Sequence, residues 1–144
     1  VVVRVLNAPA RLVFEAWSKP EHIKRWFGPA GYPVTMAEID FRVGGKWRFA
    51  MTGPDGVQNT PFGGEYLEIA PDCKITFSNS FEAPGAPQMI MTVTLVEDGG
   101  TTTMTWRTLF ESIEMCKSYL GMGMAEGAGS ALDQLADVLK VDLP

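Results

Sequence analysis

Glu65 and Asn79 are the side chains of this 144-residue chain whose types and spacing best suit chemistry. Pro71, Asp72 and Cys73 read as the loop of a hairpin between two strand-like runs. A three-residue loop faces Ile69 with Ile75, Leu67 with Phe77 and Glu65 with Asn79 on the inner face. A two-residue loop would face Tyr66 with Phe77 and put Glu65 outside. The first is favoured because it keeps Leu67 and Ile69 inside. A carboxylate in an apolar cavity holds its proton more tightly than in water and can serve as general acid or base. Asn79 would orient it or bind a carbonyl. The simpler role for the two is a structural hydrogen bond or an exposed edge, because perturbed carboxylates are often merely structural.

Other chemistries lack their residues. The chain shows no nucleophilic triad, phosphate loop or metal cluster. His22 is the one histidine, which leaves little for zinc, and Cys73 and Cys116 lie far apart without metal-ligand spacing. Neither a metal nor a cofactor is therefore expected. Both thiols read as reduced, small, partly buried side chains, which places the protein in the cytoplasm by default. His22 is expected in solvent. Asp40 with Arg42 reads as a surface ion pair worth ~0–1 kcal/mol, and Arg107 falls on an outward phase. A net charge of −5 argues against a nucleic-acid partner. No apolar run approaches a membrane span and no signal peptide is visible. The chain opens on Val1 rather than methionine, so residues upstream of it are left open.

These side chains need elements to position them. From Met122 to Leu139, Ala125, Ala128, Leu132, Leu135 and Leu139 recur at helical spacing. The C-terminal half of that stripe is leucine. The N-terminal half is alanine, with Gly121, Gly123, Gly127 and Gly129 around it. Each glycine costs a helix interior about 1 kcal/mol relative to alanine. A helix carrying several gives up propensity for room, and room against a sheet holds either another side chain or a ligand.

Val1 to Leu6 reads as a strand, and Pro9 opens a short helix with Ala10, Val13, Phe14 and Trp17 on its apolar face. Ser18 to Glu21 reads as a capping box for a second short helix ending near Trp26 and stopped by Gly28-Pro29. Turns near Gly44, Pro54, Pro71, Gly85 and Gly99 then divide Val34 to Leu109 into roughly six strands. An Asp98-Gly99 loop would pair Leu95 with Thr102, Val93 with Met104 and Met91 with Trp106. The Gly44-Gly45 hairpin is open between two registers. One puts Glu38, Asp40 and Arg42 on the aromatic face. The other, to which the cost of burying charge leans, joins Ile39 and Phe41 to that face. The helical region at the end can be in two pieces broken near Gly121. Strand, two short helices, strands and a long helix make one α+β domain over residues 1–144.

Several motifs in this order resemble the family named for the C-terminal domain of the activator of Hsp90 ATPase, within the START-like (SRPBCC) superfamily. They are Arg4, Ala8-Pro9, Phe14 with Trp17, Pro20-Glu21, Trp26 to Pro29, Asp40 to Gly45, Gly64 to Pro71, and Gly121 to Gly127 with Leu132, Leu135 and Leu139. The resemblance covers nearly the whole chain and is specific for fold, not function. It implies a helix-grip fold: a seven-stranded antiparallel sheet around a long C-terminal helix, closed at one end by two short helices, with a hydrophobic cavity between. Relatives include lipid carriers, polyketide cyclases and chaperone cofactors. Many carry an aromatic residue where this chain has Ala128, so a larger cavity is expected if that position faces it.

Three functions follow as expectations. The first is non-catalytic binding of a small hydrophobic or aromatic molecule by Trp26, Phe27, Trp47, Phe49, Phe77, Met89, Met91, Met104, Trp106, Met122, Ala125 and Ala128. Core packing alone would also explain that set. The second is a cofactor-free cyclase or dehydratase using Glu65. The third, a chaperone cofactor, rests on the family name and ranks last, since the Hsp90 activators carry a further N-terminal domain that is absent from this sequence. The ligand and the oligomeric state are not specified by these residues.

Overall fold

The computed structural model describes residues 1–141. In chain order the elements are β1 (Val2–Leu6), α1 (Ala10–Ser18), α2 (Pro20–Trp26), β2 (Val34–Ile39), β3 (Lys46–Met51), β4 (Phe62–Ala70), β5 (Lys74–Phe81), β6 (Met89–Asp98), β7 (Thr101–Leu109), α3 (Ile113–Gly121) and α4 (Met124–Val141). The strands form one antiparallel seven-stranded sheet in the order β1-β7-β6-β5-β4-β3-β2. α1, α2 and α4 pack against the sheet with the core between, and α3 packs on α4; this is the helix-grip arrangement.

Pro9 is extended and precedes α1, whose buried residues are Ala10, Leu12, Val13, Ala16 and Trp17. The expected capping box does not form. Ser18 still belongs to α1, and its hydroxyl donates to the Glu15 carbonyl at 3.0 Å. The cap position of α2 falls to Lys19, which makes no side-chain cap bond; Pro20 and Glu21 in the first turn suit a helix start instead. His22 is half-buried rather than solvated, and its Nδ1 lacks a partner. Cys73 is exposed and Cys116 half-buried, both as free thiols.

The hairpins decide which residues face the core. Between β6 and β7 the loop is Gly99-Gly100, not Asp98-Gly99. Leu95 pairs with Met104, Val93 with Trp106 and Met91 with Thr108. Both loop residues have positive φ, +60° and +82°, which two glycines supply without strain and Asp98 would not. The slip is two residues, so every side chain keeps its expected face.

The Pro71 hairpin satisfies both of its candidate registers in turn. Ala70 pairs with Lys74, Ile69 with Ile75 and Glu68 with Thr76, as a three-residue loop demands. A β-bulge then intervenes between Tyr66 and Glu68, and Tyr66 pairs with Phe77. Tyr66 is consequently buried, while Leu67 is 43% exposed. In the Gly44-Gly45 hairpin Ile39 pairs with Trp47 and Glu38 with Arg48. The charges stay in water, where Arg42 and Asp40 pair at 2.9 Å.

The last helical region breaks at Met122-Gly123, where Gly123 has φ +86°. Ser112 caps α3, its hydroxyl accepting from the Met115 amide at 3.1 Å. In α4, Ala131, Leu132, Leu135, Val138 and Leu139 are buried, and Ala128 is half-buried. Three tethers hold the middle of α4. Arg4 of β1 donates to Asp133 and to the Gly129 carbonyl. Ala30 N–H donates to Ser130 Oγ at 2.9 Å, and Gln134 Nε2 donates to the Gly28 carbonyl at 2.5 Å.

Candidate ligand site on the inner face of the sheet

Alternation along the strands turns Trp47, Phe49, Phe77, Met89, Met91, Met104 and Trp106 inward, and all are buried. From the opposite side α1 and α2 lower Trp17, Trp26 and Phe27 onto this layer. Trp17 crosses Trp106 nearly perpendicularly with ring centres 5.1 Å apart, and Phe27 meets Phe49 at 5.3 Å. Edge-to-face contacts of this kind add to the burial of the rings.

The expected roomy cavity is not there. The space left among Trp17, Phe27, Trp47, Phe49, Tyr66 and Phe77 measures about 10 Å³. That is about one water's worth of space. The inner layer is filled by the indoles of Trp17 and Trp26 and the ring of Phe27, whereas a Cβ added at Gly121 or Gly127 on the last helices would meet nothing within 4 Å.

Two further expectations fail at the same place. Met122 is 69% exposed and Ala125 is also exposed, because the break at Gly123 turns both away from the sheet. Ala128 does pack against the core, as do Met115, Met124 and Phe110, each half-buried. α3 contributes no buried residue at all, although it carries Ile113, Met115 and Leu120. Tyr119 stacks its ring on Phe110 at 5.8 Å, joining α3 to the end of β7.

Glu65 does not reach the core. The bulge reverses the phase of β4, so its carboxylate is exposed on the outer face and its backbone N–H donates to Ser78 Oγ at 3.0 Å. It borders an open groove of about 550 Å³ with Lys46, Arg48, Ser78, Ser80 and Glu82. There Arg48 grips Glu82 with two hydrogen bonds, of 2.5 and 3.0 Å, and holds that carboxyl below the usual carboxylate range. Asn79, expected beside Glu65, lies alone on the inner face and is buried. A buried acid–base pair is therefore absent from the site.

Polar groups in the core fall into two sets. Trp26 Nε1 donates to the Ala16 carbonyl, Trp47 Nε1 to the Ser78 carbonyl, both at 3.1 Å, and Thr102 Oγ1 to the Ala8 carbonyl at 2.7 Å. Trp17 Nε1, Trp106 Nε1 and Asn79 Oδ1 are buried with no partner. Leaving such an atom unpaired costs about 1–3 kcal/mol. Tyr66 joins the wall of the void, and burial raises its phenol above the usual tyrosine pKa. Trp17 was visible beforehand as part of an amphipathic face. Tyr66 comes inward only in the two-residue-loop register, since alternation through Leu67 and Ile69 counts it outward. Among the described residues no group of three or more His, Cys, Asp or Glu could hold a metal ion, and no helix is long and apolar enough to cross a membrane.

Comparisons with known proteins bear on the fold as a whole. A family model described as activator of Hsp90 ATPase homolog 1-like protein matches residues 7–140. Among solved structures, a protein of Arthrobacter aurescens is similar at 30% identity, with a TM-score of 0.88 over 96% of this chain and 83% of that one. A protein of Nitrosomonas europaea is similar at 27% identity, with a TM-score of 0.87 over 96% of this chain and 92% of that one. A comparison with the curated proteins finds no match.

Proposed function

Since the chain belongs to the activator of Hsp90 ATPase homolog 1-like family, we propose that it binds a small apolar or aromatic molecule between the sheet and the final helices, after α3 and the first turns of α4 move aside. The observation that carries this reading is the contrast between the two halves of the cover. From Gly129 onward α4 is tied down, by the bonds of Gly129, Ser130, Asp133 and Gln134 to Arg4, Ala30 and Gly28 and, from Ala131, by buried leucines. Before Ala131 no residue of α3 or α4 is fully buried. The cover is therefore cheap to displace at one end, where few apolar contacts oppose opening. The inner face of the sheet carries the buried Met89, Met91 and Met104, whose flexible thioethers repack around a guest.

Free space of only about 10 Å³ in the core makes a kinetic demand. Opening must precede or accompany uptake, so the observed binding rate levels off as probe concentration rises. Stopped-flow mixing with the fluorescent apolar probe N-phenyl-1-naphthylamine tests this. One saturable site with a plateau in rate is expected. No uptake, or binding at rim speed with no plateau, would refute it. Glu65, exposed on the outer face of the sheet, is not in place to act as acid or base on a guest in the core.

A further inference from the structure

We infer that Asn79 is the specificity-determining residue of this site, and that the molecule it selects is a flat apolar compound carrying a hydroxyl group. The inference rests on the binding reading above and sharpens it.

Among the described residues, three polar ones are buried in the core: Ser78, Asn79 and Thr102. Ser78 and Thr102 are satisfied by the backbone. Asn79 is not. Its Oδ1 has no partner, and its Nδ2 meets only the thioether of Met91 at 3.8 Å, a weak acceptor. The two unpartnered indoles differ from it in their surroundings. Trp17 and Trp106 lie against each other and against Phe27, whose ring faces accept N–H groups weakly. The amide of Asn79 has both a donor and an acceptor end, and neither has a full-strength partner.

Position explains what such an amide could recognise. Asn79 pairs across the sheet with Met89, two residues from the Phe77–Met91 pair. Its neighbours on the inner face are thus two thioethers and a phenyl ring. Sulfur and ring faces suit an aromatic guest. A leucine at position 79 would fill the same space with no unpaired polar atom, so as a packing residue alone asparagine is costly. A hydroxyl on the guest can accept from Nδ2 or donate to Oδ1, and either bond removes the penalty. An apolar molecule without that group leaves the amide unpaired, which is how a site built for a hydroxyl rejects the analogue lacking it.

Naphthalene and 2-naphthol share one ring system and differ by the hydroxyl, so they separate the possibilities. Each is titrated by fluorescence into the wild-type protein and into Asn79→Leu. In wild type 2-naphthol should bind about tenfold tighter than naphthalene, and in the variant that ratio should fall to about one or below. Naphthalene binding should hold or improve in the variant. If Asn79→Leu does not fold, Asn79→Ala is read in the same way. An equal ratio in wild type and variant, with both compounds bound, overturns the role of Asn79 and leaves the binding site standing. Failure of both compounds to bind wild type removes the site itself.

Discussion

Gly127→Ala tests whether the small residues of α4 sacrifice stability for movement. Gly127 lies inside the helix, and its amide donates to the Gly123 carbonyl at 2.9 Å. A Cβ added there would meet nothing within 4 Å, and the residue does not require positive φ. The substitution therefore adds helix propensity without adding a clash or a buried contact. Alanine should gain about 1 kcal/mol over glycine. For a chain of this size that is a rise of roughly 3–5 °C in Tm. Urea denaturation followed by far-UV circular dichroism should show a higher midpoint with an unchanged slope. If the first turns of α4 loosen when the site opens, the same 1 kcal/mol makes opening about fivefold rarer. The plateau rate of probe uptake should fall by that factor. A midpoint that stays put or drops would refute the reasoning, because the glycine would then be answering a backbone or packing need. A higher midpoint with an unchanged plateau would remove α4 from the moving part and leave α3 alone.

Leu135→Ala, at a residue fully shielded from solvent in the locked half of α4, should cost about 2–5 kcal/mol by urea melts, with no new binding of probe at the α3 end. Gly64→Ala should prevent folding or cost several kcal/mol, since its Cβ would fall 2.1 Å from the Ser78 carbonyl oxygen, and soluble yield with circular dichroism would report it. Gly100→Ala should cost about 1–2 kcal/mol in the same melts, because φ +82° strains any residue with a Cβ. Tyr66 sets a pH dependence: burial raises its phenol pKa, so folding favours the neutral form. Its contribution is complete below the unfolded phenol's pKa of about 10 and is lost as pH climbs from there toward the folded value. Ultraviolet titration should show a slow tyrosine fraction, released only on unfolding, that Tyr66→Phe abolishes.

The sheet and its inner face were legible in the sequence because period-two alternation needs only parity. A one-residue shift of the β6–β7 loop moves the cross-strand pairing by two, which leaves Val93, Leu95, Met104 and Trp106 on the expected side. The bulge at Leu67 was not legible, since no turn residue marks it and both simple registers read well locally. That single extra residue moved Glu65 out and Tyr66 in, and with them the expected catalytic pair. The fate of the space under α4 was illegible for a different reason. Glycine and alanine announce room along the helix, but how full the inner layer is depends on how α1 and α2 settle, and Trp17, Trp26 and Phe27 fill it. The Met122-Gly123 break was legible only as a place, since helix composition does not say which way the preceding segment turns.

The bulge in β4 has one more consequence, for chain length. Removing a residue from the regular part of a strand inverts every side chain beyond the cut, which in this sheet would drive tryptophan or methionine into water. Leu67 is the exception, because it has no partner of its own between Tyr66↔Phe77 and Glu68↔Thr76. Deleting it would straighten the ladder and leave both flanks facing as they do now. Position 67 is thus a spot where members of this lineage can differ by one codon without exchanging the inside of the sheet for the outside.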